Sequence, residues 1–331
     1  MRLVQYKGRD GDRHVAEVEE GGRLRPLLGV ATTYALAEAA IAEQTGLAEA
    51  AARRRGAALV DYEAVAAEGR LLPPVDHPEP ARFWLTGTGL THLGSADARD
   101  KMHNAAHGAE EEKLTDSMKI FRMGLEGGKP EEGGVGVQPE WFFKGLGNSL
   151  VPPGAPLPLP SYALAGAEEA EIVGLYLIGP EGRPYRLGYC LGNEFSDHVT
   201  EALNYLYLAH SKLRACSLGP ELLVGPLPGD VRGVSRILRG NHVLWQQEFW
   251  SGEENMSHSL ANLEHYHFRY PMFRRPGDLH AYFYGAAVLS CASGVKTAPG
   301  DIFEIDVPLF GRPLRNTMVA APEEAVEIAA L

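Results

Sequence analysis

Two apolar segments on either side of a turn-rich pentapeptide constrain the fold of this chain more than any other feature. Residues 171–178 read EIVGLYLI, residues 179–183 read GPEGR, and residues 185–193 read YRLGYCLGN. Apolar runs of this length, bounded by Gly and Pro, are typical of paired β-strands. The sequence therefore predicts a β-hairpin at the centre of the chain.

Three glutamates lie at the open end of this hairpin. Glu169 and Glu171 are two residues apart, so they project from the same face of a strand. If the hairpin folds about Gly182 and Arg183, Glu194 lies opposite Glu171, with Cβ atoms roughly 5 Å apart. Three converging carboxylates repel one another unless they are protonated or bridged by a cation such as Mg²⁺, which prefers oxygen ligands. Solvated strand ends are the alternative interpretation, and a register error of one residue would turn Glu194 to the other face.

The composition narrows the class of protein. The chain has 331 residues, of which 45% are hydrophobic and 22% charged, as in ordinary globular proteins. A formal net charge of −12 argues against broad binding to nucleic-acid phosphates. No apolar run approaches the roughly 20 residues that span a bilayer, and the amino terminus lacks the apolar region of a signal peptide. We expect a cytoplasmic protein without membrane or nucleic-acid partners.

The cysteines and histidines predict no second site. Cys190, Cys216 and Cys291 include no C-x-x-C pair, so we expect three buried free thiols rather than a disulfide framework or a zinc site. His103 and His107 have the spacing of one helix face, but Asn104 stands where a zinc protease needs Glu. In addition, His265 and His267 are expected to share one face of a strand, without carboxylates to complete a metal site.

The rest of the chain suggests two regions. Short strands in residues 1–30, and a helix capped by Thr32 or Thr33, predict a small α+β N-terminal domain over residues 1–76. A proline-rich boundary precedes a second domain over residues 80–330. After the hairpin, Ser196 or Asp197 can cap a helix, and His198 near its start is expected at the surface.

The glutamate pattern resembles the metal-binding core of the fumarylacetoacetate hydrolase superfamily. The resemblance rests on Glu169-Ala-Glu171, the apolar strand after it, and GYCLGNEFS at residues 188–196. Glu194 stands where the usual motif has Asp. The resemblance implies that Glu169, Glu171 and Glu194 bind Mg²⁺, with Ca²⁺ or Mn²⁺ as alternatives.

Two further elements resemble the same superfamily. PEWFFKG at residues 139–145 is similar to the branch acting on 2-keto-3-deoxy sugar acids, which implies site roles for Lys144 and, more weakly, Glu140. HSKLRACSLGP at residues 210–220 resembles the K-S-x-D element. Ser211 aligns, whereas the basic residue is His210 or Lys212 depending on a shift of one position. Lys144, Glu140 and Lys212 are therefore the acid–base candidates, without an assigned order.

Two glycine-containing segments resemble the superfamily's substrate loops. FWLTGTGLTHLGS at residues 83–95 is similar to a G-x-N-Y-x-x-H loop, but Ser95 replaces its His, which weighs against carbon–carbon bond hydrolysis. Tyr284 and Ala286 replace the threonines of a T-G-T element. The implied substrate-binding residues are Gly89, Leu90, Thr91, Ser95, Ser211, Tyr284 and Gly285.

The resemblance implies an α+β, mostly β fold, with a β-roll catalytic domain and assembly into a homodimer or higher homo-oligomer. The activity it implies is Mg²⁺-dependent dehydration of a 2-keto-3-deoxy pentonate, such as 2-keto-3-deoxy-D-arabinonate, to 2,5-dioxopentanoate. The partner would then be a small 2-oxo acid. A hydrolase acting on acylpyruvate-like carbon–carbon bonds, and a non-catalytic sugar-acid-binding protein, are the alternatives.

Overall fold

The predicted hairpin is present and lies in the middle of a large sheet. A computed structural model describes residues 1–94, 115–131 and 133–331, and shows a mixed α+β fold in which strands predominate. The first strands are β1 (Arg2–Lys7), β2 (Arg13–Glu19), β3 (Arg23–Pro26), β4 (Val60–Asp61), β5 (Leu71–Leu72), β6 (Phe83–Gly87), β7 (Phe142–Leu146), β8 (Leu150–Val151) and β9 (Leu157–Leu159). The later strands are β10 (Ala170–Ile178), β11 (Pro184–Asn193), β12 (Cys216–Leu218), β13 (Leu222–Leu223), β14 (Val231–Arg239), β15 (His242–Ser251), β16 (Leu279–Phe283), β17 (Ile302–Asp306) and β18 (Leu314–Ala320).

Short helices connect these strands. They are α1 (Thr33–Ala42), α2 (Leu47–Ala52), α3 (Tyr62–Ala67), α4 (Asp116–Gly127), α5 (His198–Leu203), α6 (Leu208–Lys212) and α7 (Leu260–Phe268). The predicted caps at Thr32 and Asp197 are confirmed, because each side chain accepts a hydrogen bond from the first turn of its helix. Among the described residues, no helix has the length and apolarity that a membrane span requires.

Two sheets organise the chain. The larger runs in the order β4-β3-β2-β1-β13-β11-β10-β16-β6-β7, with β5, β8 and β12 attached to it, and the smaller runs β15-β14-β17-β18-β9. The N-terminal strands belong to the larger sheet, because β1 pairs with β13 through Leu3 and Leu222. Hydrogen bonding thus continues between the N-terminal strands and the hairpin, and a division near residue 76 stays a prediction.

The strand β10 is buried on both faces, which explains its continuous apolar sequence. Val173, Leu175 and Leu177 pack into one hydrophobic cluster with β6 and β16. The alternating residues Ile172 and Tyr176 pack into a second cluster. The strand therefore lies between two cores, and its N-terminal end places two glutamates at a fixed position.

The predicted register of the hairpin is wrong by two residues. Glu171 pairs with Gly192, and the backbone N–H of Glu194 donates to the carbonyl of Glu169 over 3.0 Å. The turn closes at residues 179–183, and an irregularity between Leu175 and Tyr176 shifts the pairing. A shift of two residues preserves the face on which each side chain lies, so Glu194 still joins the other two glutamates.

Two other predictions are wrong. The HYH histidines, His265 and His267, lie in helix α7 rather than on a strand. His267 is buried and hydrogen-bonds His280 over 3.0 Å, so it belongs to an aromatic core. Cys190 and Cys216 are buried as expected, but Cys291 is partly exposed. His103 and His107 lie outside the described residues.

Candidate metal centre

Three buried carboxylates converge at the end of the hairpin. One carboxylate oxygen each of Glu169, Glu171 and Glu194 lies within 4.8 Å of the others. The three residues are only 6%, 1% and 0% exposed. The interpretation of these glutamates as solvated strand ends is therefore wrong, since none of the side chains reaches bulk water.

Two of the carboxylate oxygens are left without a hydrogen bond. Oε2 of Glu171 accepts a hydrogen bond of 2.6 Å from the backbone N–H of Gly285. By contrast, Oε1 of Glu171 and Oε1 of Glu194 are buried and have no hydrogen-bond partner among the described residues. Buried polar atoms are rarely unsatisfied, and an all-oxygen donor set suits Mg²⁺, Ca²⁺ or Mn²⁺. The donor set and its unsatisfied oxygens thus fit a divalent cation.

Lys212 is the cation nearest to this cluster. Its Nζ contacts Oε1 of Glu169 and lies 3.2 Å from Oε2 of Glu194. The same ammonium lies 4.9 Å from the ring centroid of Phe142 and is almost completely buried. The sequence left His210 and Lys212 as alternatives for the basic residue of this segment. Lys212 is the one whose side chain contacts the carboxylates.

Lys144 binds the backbone of two segments that carry residues of the site. Its Nζ donates to the backbone carbonyls of Phe195, over 2.5 Å, and of Lys212, over 2.7 Å. Burial lowers the pKa of Lys144 to about 8, and attraction to Glu194 partly opposes that shift. Lys144 therefore fixes the segments that carry Glu194 and Lys212. Glu140, two residues before strand β7, is buried near the same strand.

Burial and mutual repulsion change the protonation of the carboxylates. Burial raises the pKa of Glu194 to about 7, with attraction to Lys212 opposing and repulsion from Glu169 adding to the shift. The pKa of Glu171 is raised well above its usual value by burial and by both neighbouring carboxylates. For Glu169, attraction to Lys212 and contact with His198 outweigh burial and lower the pKa. Without a divalent cation, the cluster therefore holds protons at neutral pH.

Sequence reasoning missed two residues that support the triad. His198 was expected at the surface, but it is 4% exposed and its Nε2 lies 3.1 Å from Oε1 of Glu169. Glu168 is buried and accepts hydrogen bonds from the backbone and hydroxyl of Ser290, over 3.0 and 2.7 Å. The only signal for His198 was its place at the start of the Asp197-capped helix, four residues after Glu194.

A glycine allows Glu194 to approach strand β6. A Cβ atom on Gly87 would lie 2.4 Å from Oε1 of Glu194 and 2.6 Å from the ring of Phe142. Gly87 pairs with Phe142 across strands β6 and β7, so there is little room for either backbone to move. Gly87, which ends strand β6, is thus the glycine that this approach of Glu194 requires.

The predicted substrate residues divide into two groups. Gly285, with φ of +96°, lies where a Cβ would be 2.4 Å from Oγ1 of Thr91, and its N–H contacts Glu171, so Gly285 and Thr91 adjoin the triad. Tyr284 points away, because its hydroxyl contacts that of Tyr176 in the second hydrophobic cluster. Ser211 is buried with its hydroxyl bonded to the carbonyl of Leu208 over 2.7 Å.

The remaining predicted residues lie on the loop after strand β6. Leu90 is buried with φ of +55°, and Gly89 beside it is half-buried. Ser95 lies outside the described residues.

Comparisons with known proteins support this architecture. No protein-family model and no curated protein matches the chain. Among solved structures, the apo form of 2-keto-3-deoxy-D-arabinonate dehydratase is similar with a TM-score of 0.71 and 18% identity, over 98% of this chain and 100% of that one. The same enzyme complexed with magnesium and 2,5-dioxopentanoate gives a TM-score of 0.70 and 19% identity, over 98% and 100% of the two chains.

A second kind of enzyme has a related structure. The 5-carboxymethyl-2-hydroxymuconate delta-isomerase from Mycobacterium smegmatis is similar with a TM-score of 0.57 and 16% identity, over 97% of this chain and 100% of that one. At these identities the comparisons establish the fold. The chain therefore has the same fold as 2-keto-3-deoxy-D-arabinonate dehydratase.

Proposed function

We propose that the protein is a divalent-cation-dependent lyase that removes water from a 2-keto-3-deoxy sugar acid, such as 2-keto-3-deoxy-D-arabinonate, to give 2,5-dioxopentanoate. The observation that carries the proposal is the buried triad, with two unsatisfied carboxylate oxygens and a lysine beside them. The likeness to a dehydratase solved with magnesium and 2,5-dioxopentanoate supports the choice of reaction.

Glu169, Glu171 and Glu194 would hold the ion, with Mg²⁺ as the leading candidate and Mn²⁺ or Ca²⁺ as alternatives. A bound divalent ion would supply Lewis acidity toward the oxygens of a 2-oxo acid and so make its C3 protons more acidic. The site is also largely shielded from bulk water, because the three glutamates are buried where strand β10 begins and strand β11 ends.

Dehydration needs one proton taken from C3 and one delivered to the hydroxyl that leaves from C4, which gives a C3=C4 double bond. Moving a proton from C5 to C3, and the C5 hydroxyl proton to C4, then gives the C5 aldehyde of 2,5-dioxopentanoate. Lys212 is the group best placed to hold a proton beside the triad, because its Nζ already contacts two of the carboxylates. Lys144 fixes the backbone of Lys212 and of Phe195, and Glu140 is a buried carboxyl four residues before Lys144. An acid–base pair typically contributes roughly 10²–10⁴-fold to a rate.

Hydrolysis of an acylpyruvate-like carbon–carbon bond is the second candidate. The same fold occurs in enzymes with other activities, such as the muconate isomerase. Ser95 stands where the hydrolases carry the His that assists attack by water, and this replacement favours the lyase. A sugar-acid-binding protein without activity is the third candidate.

One experiment separates these three functions. The purified protein with Mg²⁺ is incubated with 2-keto-3-deoxy-D-arabinonate or with an acylpyruvate, and 2,5-dioxopentanoate and pyruvate are measured. The lyase gives dioxopentanoate from the sugar acid alone. Pyruvate from the acylpyruvate would instead establish the hydrolase, and binding without either product would establish the binding protein.

The assembly of the protein follows from the same proposal. Enzymes of this superfamily are usually homodimers, so we expect a homodimer or a higher homo-oligomer working in the cytoplasm. Light scattering on the purified protein measures the mass directly, and a monomer at micromolar concentration would contradict this expectation.

A further inference from the structure

A cavity of about 840 Å³ lies beside helix α5. Much of its wall is apolar, formed by residues such as Leu164, Val199 and Leu203, and the wall also includes His198, Cys291 and Lys296. None of the three glutamates lines the cavity, but His198 on its wall contacts Glu169. It is therefore a separate space that reaches the triad through one imidazole.

Cys291 is the accessible thiol of this chain. It lies in the short helical turn Ser290–Ser293 and is partly exposed on the cavity wall, whereas Cys190 and Cys216 are both 0% exposed. Reagents in solution that are too large for the core can thus reach Cys291 and neither of the other two. Accessibility is a main determinant of which cysteine reacts.

His198 connects this thiol with the triad. The imidazole is 4% exposed, and its Nε2 lies 3.1 Å from Oε1 of Glu169. Its other nitrogen, Nδ1, is buried, and Cys291 lies close enough to interact with the ring. The imidazole therefore has the thiol at one side and a candidate metal ligand at the other.

The segment that carries Cys291 is held in place. Both the backbone N–H and the hydroxyl of Ser290 donate to the buried carboxylate of Glu168, the residue before Glu169. These hydrogen bonds oppose movement of the segment. A group added to Cys291 therefore has to occupy the cavity or press against His198.

We propose that Cys291 is a covalent modification site for small α,β-unsaturated carbonyl compounds, and that its modification loosens Glu169 through His198. The largely apolar wall can pack against the carbon skeleton of such a compound. The sulfur attacks the β-carbon, a new S–C bond replaces the C=C π bond, and the proton lost by the thiol is balanced by one added to the α-carbon. The reaction needs no oxidant. The second part of the inference rests on the proposed metal site.

The test uses N-ethylmaleimide on the full-length protein, with intact mass and peptide mapping as the first readout. We expect one adduct, on Cys291, and none on Cys190 or Cys216. The Cys291→Ser variant should remain unlabelled. Labelling elsewhere, or an unreacted Cys291, would overturn the assignment of the site.

The second readout is the affinity for Mn²⁺, measured by calorimetry before and after labelling. We expect the adduct to weaken Mn²⁺ binding roughly tenfold, the lower end of the effect of disturbing a residue that orients a metal ligand. The reagent should not change the Mn²⁺ affinity of Cys291→Ser. In the His198→Gln variant, labelling should likewise leave the Mn²⁺ affinity unchanged. Unchanged affinity in the labelled wild-type protein would overturn the coupling.

These two readouts distinguish the inference from the proposed function. If the untreated protein binds no Mn²⁺, the proposed metal site and the coupling through His198 are both contradicted. Labelling of Cys291 does not depend on metal, so mass spectrometry still decides whether the modification site exists.

Discussion

Nζ of Lys212 lies 3.2 Å from Oε2 of Glu194, so an ammonium group of the protein itself occupies the edge of the proposed metal site. The same ammonium contacts Glu169. Two of the three candidate ligands are thus already partly neutralised by an internal cation. A divalent ion has to share these carboxylates with Lys212, which relates metal affinity directly to that side chain.

Replacing Lys212 by methionine should therefore have opposite effects on binding and turnover. Mn²⁺ affinity should rise, because the ammonium no longer competes with the ion for the carboxylates. A gain of about 1.4 kcal/mol corresponds to a roughly tenfold higher affinity. Dehydration should fall by roughly 10²–10⁴-fold if Lys212 transfers a proton. Calorimetry and a dioxopentanoate assay measure the two quantities.

The matched control is Lys119→Met, which removes an exposed lysine that pairs with Asp116 over 2.8 Å, away from the triad. That variant should change neither quantity. Weaker Mn²⁺ binding in Lys212→Met would show that the lysine supports the metal site instead of competing for it.

Metal binding should depend on pH near neutrality. Burial raises the pKa of Glu194 to about 7, so below that pH the ion has to displace a proton. Displacing the proton of Glu194 should lower Mn²⁺ affinity by about tenfold for each pH unit below 7, and Glu171, whose pKa is also raised, should make the slope steeper. Calorimetry between pH 5.5 and 8.5 measures this slope, and an affinity that is constant across the range would contradict it.

The stability of the metal-free protein should depend on pH in the opposite sense. Glu194 has a higher pKa in the folded chain than in the unfolded one, so its protonated form favours folding. This contribution is complete below the unfolded pKa of about 4.5 and is lost as the pH rises through about 7. Glu171 acts in the same direction. Chemical denaturation at pH 6 and pH 8 should show the loss in EDTA, and excess Mn²⁺ should reverse it.

Adding one methyl group at Gly87 should disturb the triad. The Cβ of Gly87→Ala would lie 2.4 Å from Oε1 of Glu194 and 2.6 Å from the ring of Phe142. Overpacking of this kind costs about 1–3 kcal/mol, and the displaced carboxylate should also weaken Mn²⁺ binding. Denaturant unfolding and calorimetry measure the two effects.

Gly94→Ala is the control for that substitution, because the nearest atom to its Cβ would be the carbonyl oxygen of Ala287 at 3.7 Å. It should leave both stability and metal affinity close to those of the wild type. Equal effects of the two variants would contradict the close approach of Glu194 to Gly87.

The central hairpin was predictable because its two strands are long, apolar and separated by strong turn residues. Its register was not, because the strands already pair at Ile178 and Pro184, three residues away from the register that a turn about Gly182 and Arg183 gives. The irregularity between Leu175 and Tyr176, which leaves no signal in the sequence, then changes the difference to two residues. The triad was predicted despite that error, since a shift of two residues returns every side chain to the same face. The pattern of alternation was therefore more informative than the assumed turn.

The groups around the triad were harder to predict. His198 reaches Glu169 from the start of a short helix, and Ser290 reaches Glu168 across more than 100 residues of sequence. Periodicity reports which face of an element is apolar, but it does not report which distant segments meet. The HYH histidines show the same limit, because two residues with spacing suited to a strand were placed by tertiary packing in helix α7.

The measurement that tests the account most directly is Mn²⁺ binding to the wild-type protein and to Glu171→Gln, with circular dichroism to verify folding. Glu181→Gln, an exposed change in the hairpin turn, is the control. We expect the wild type and Glu181→Gln to bind one Mn²⁺ per chain, and Glu171→Gln to be folded but to bind none. Wild-type binding that survives in Glu171→Gln would contradict the assignment of the triad as the metal site.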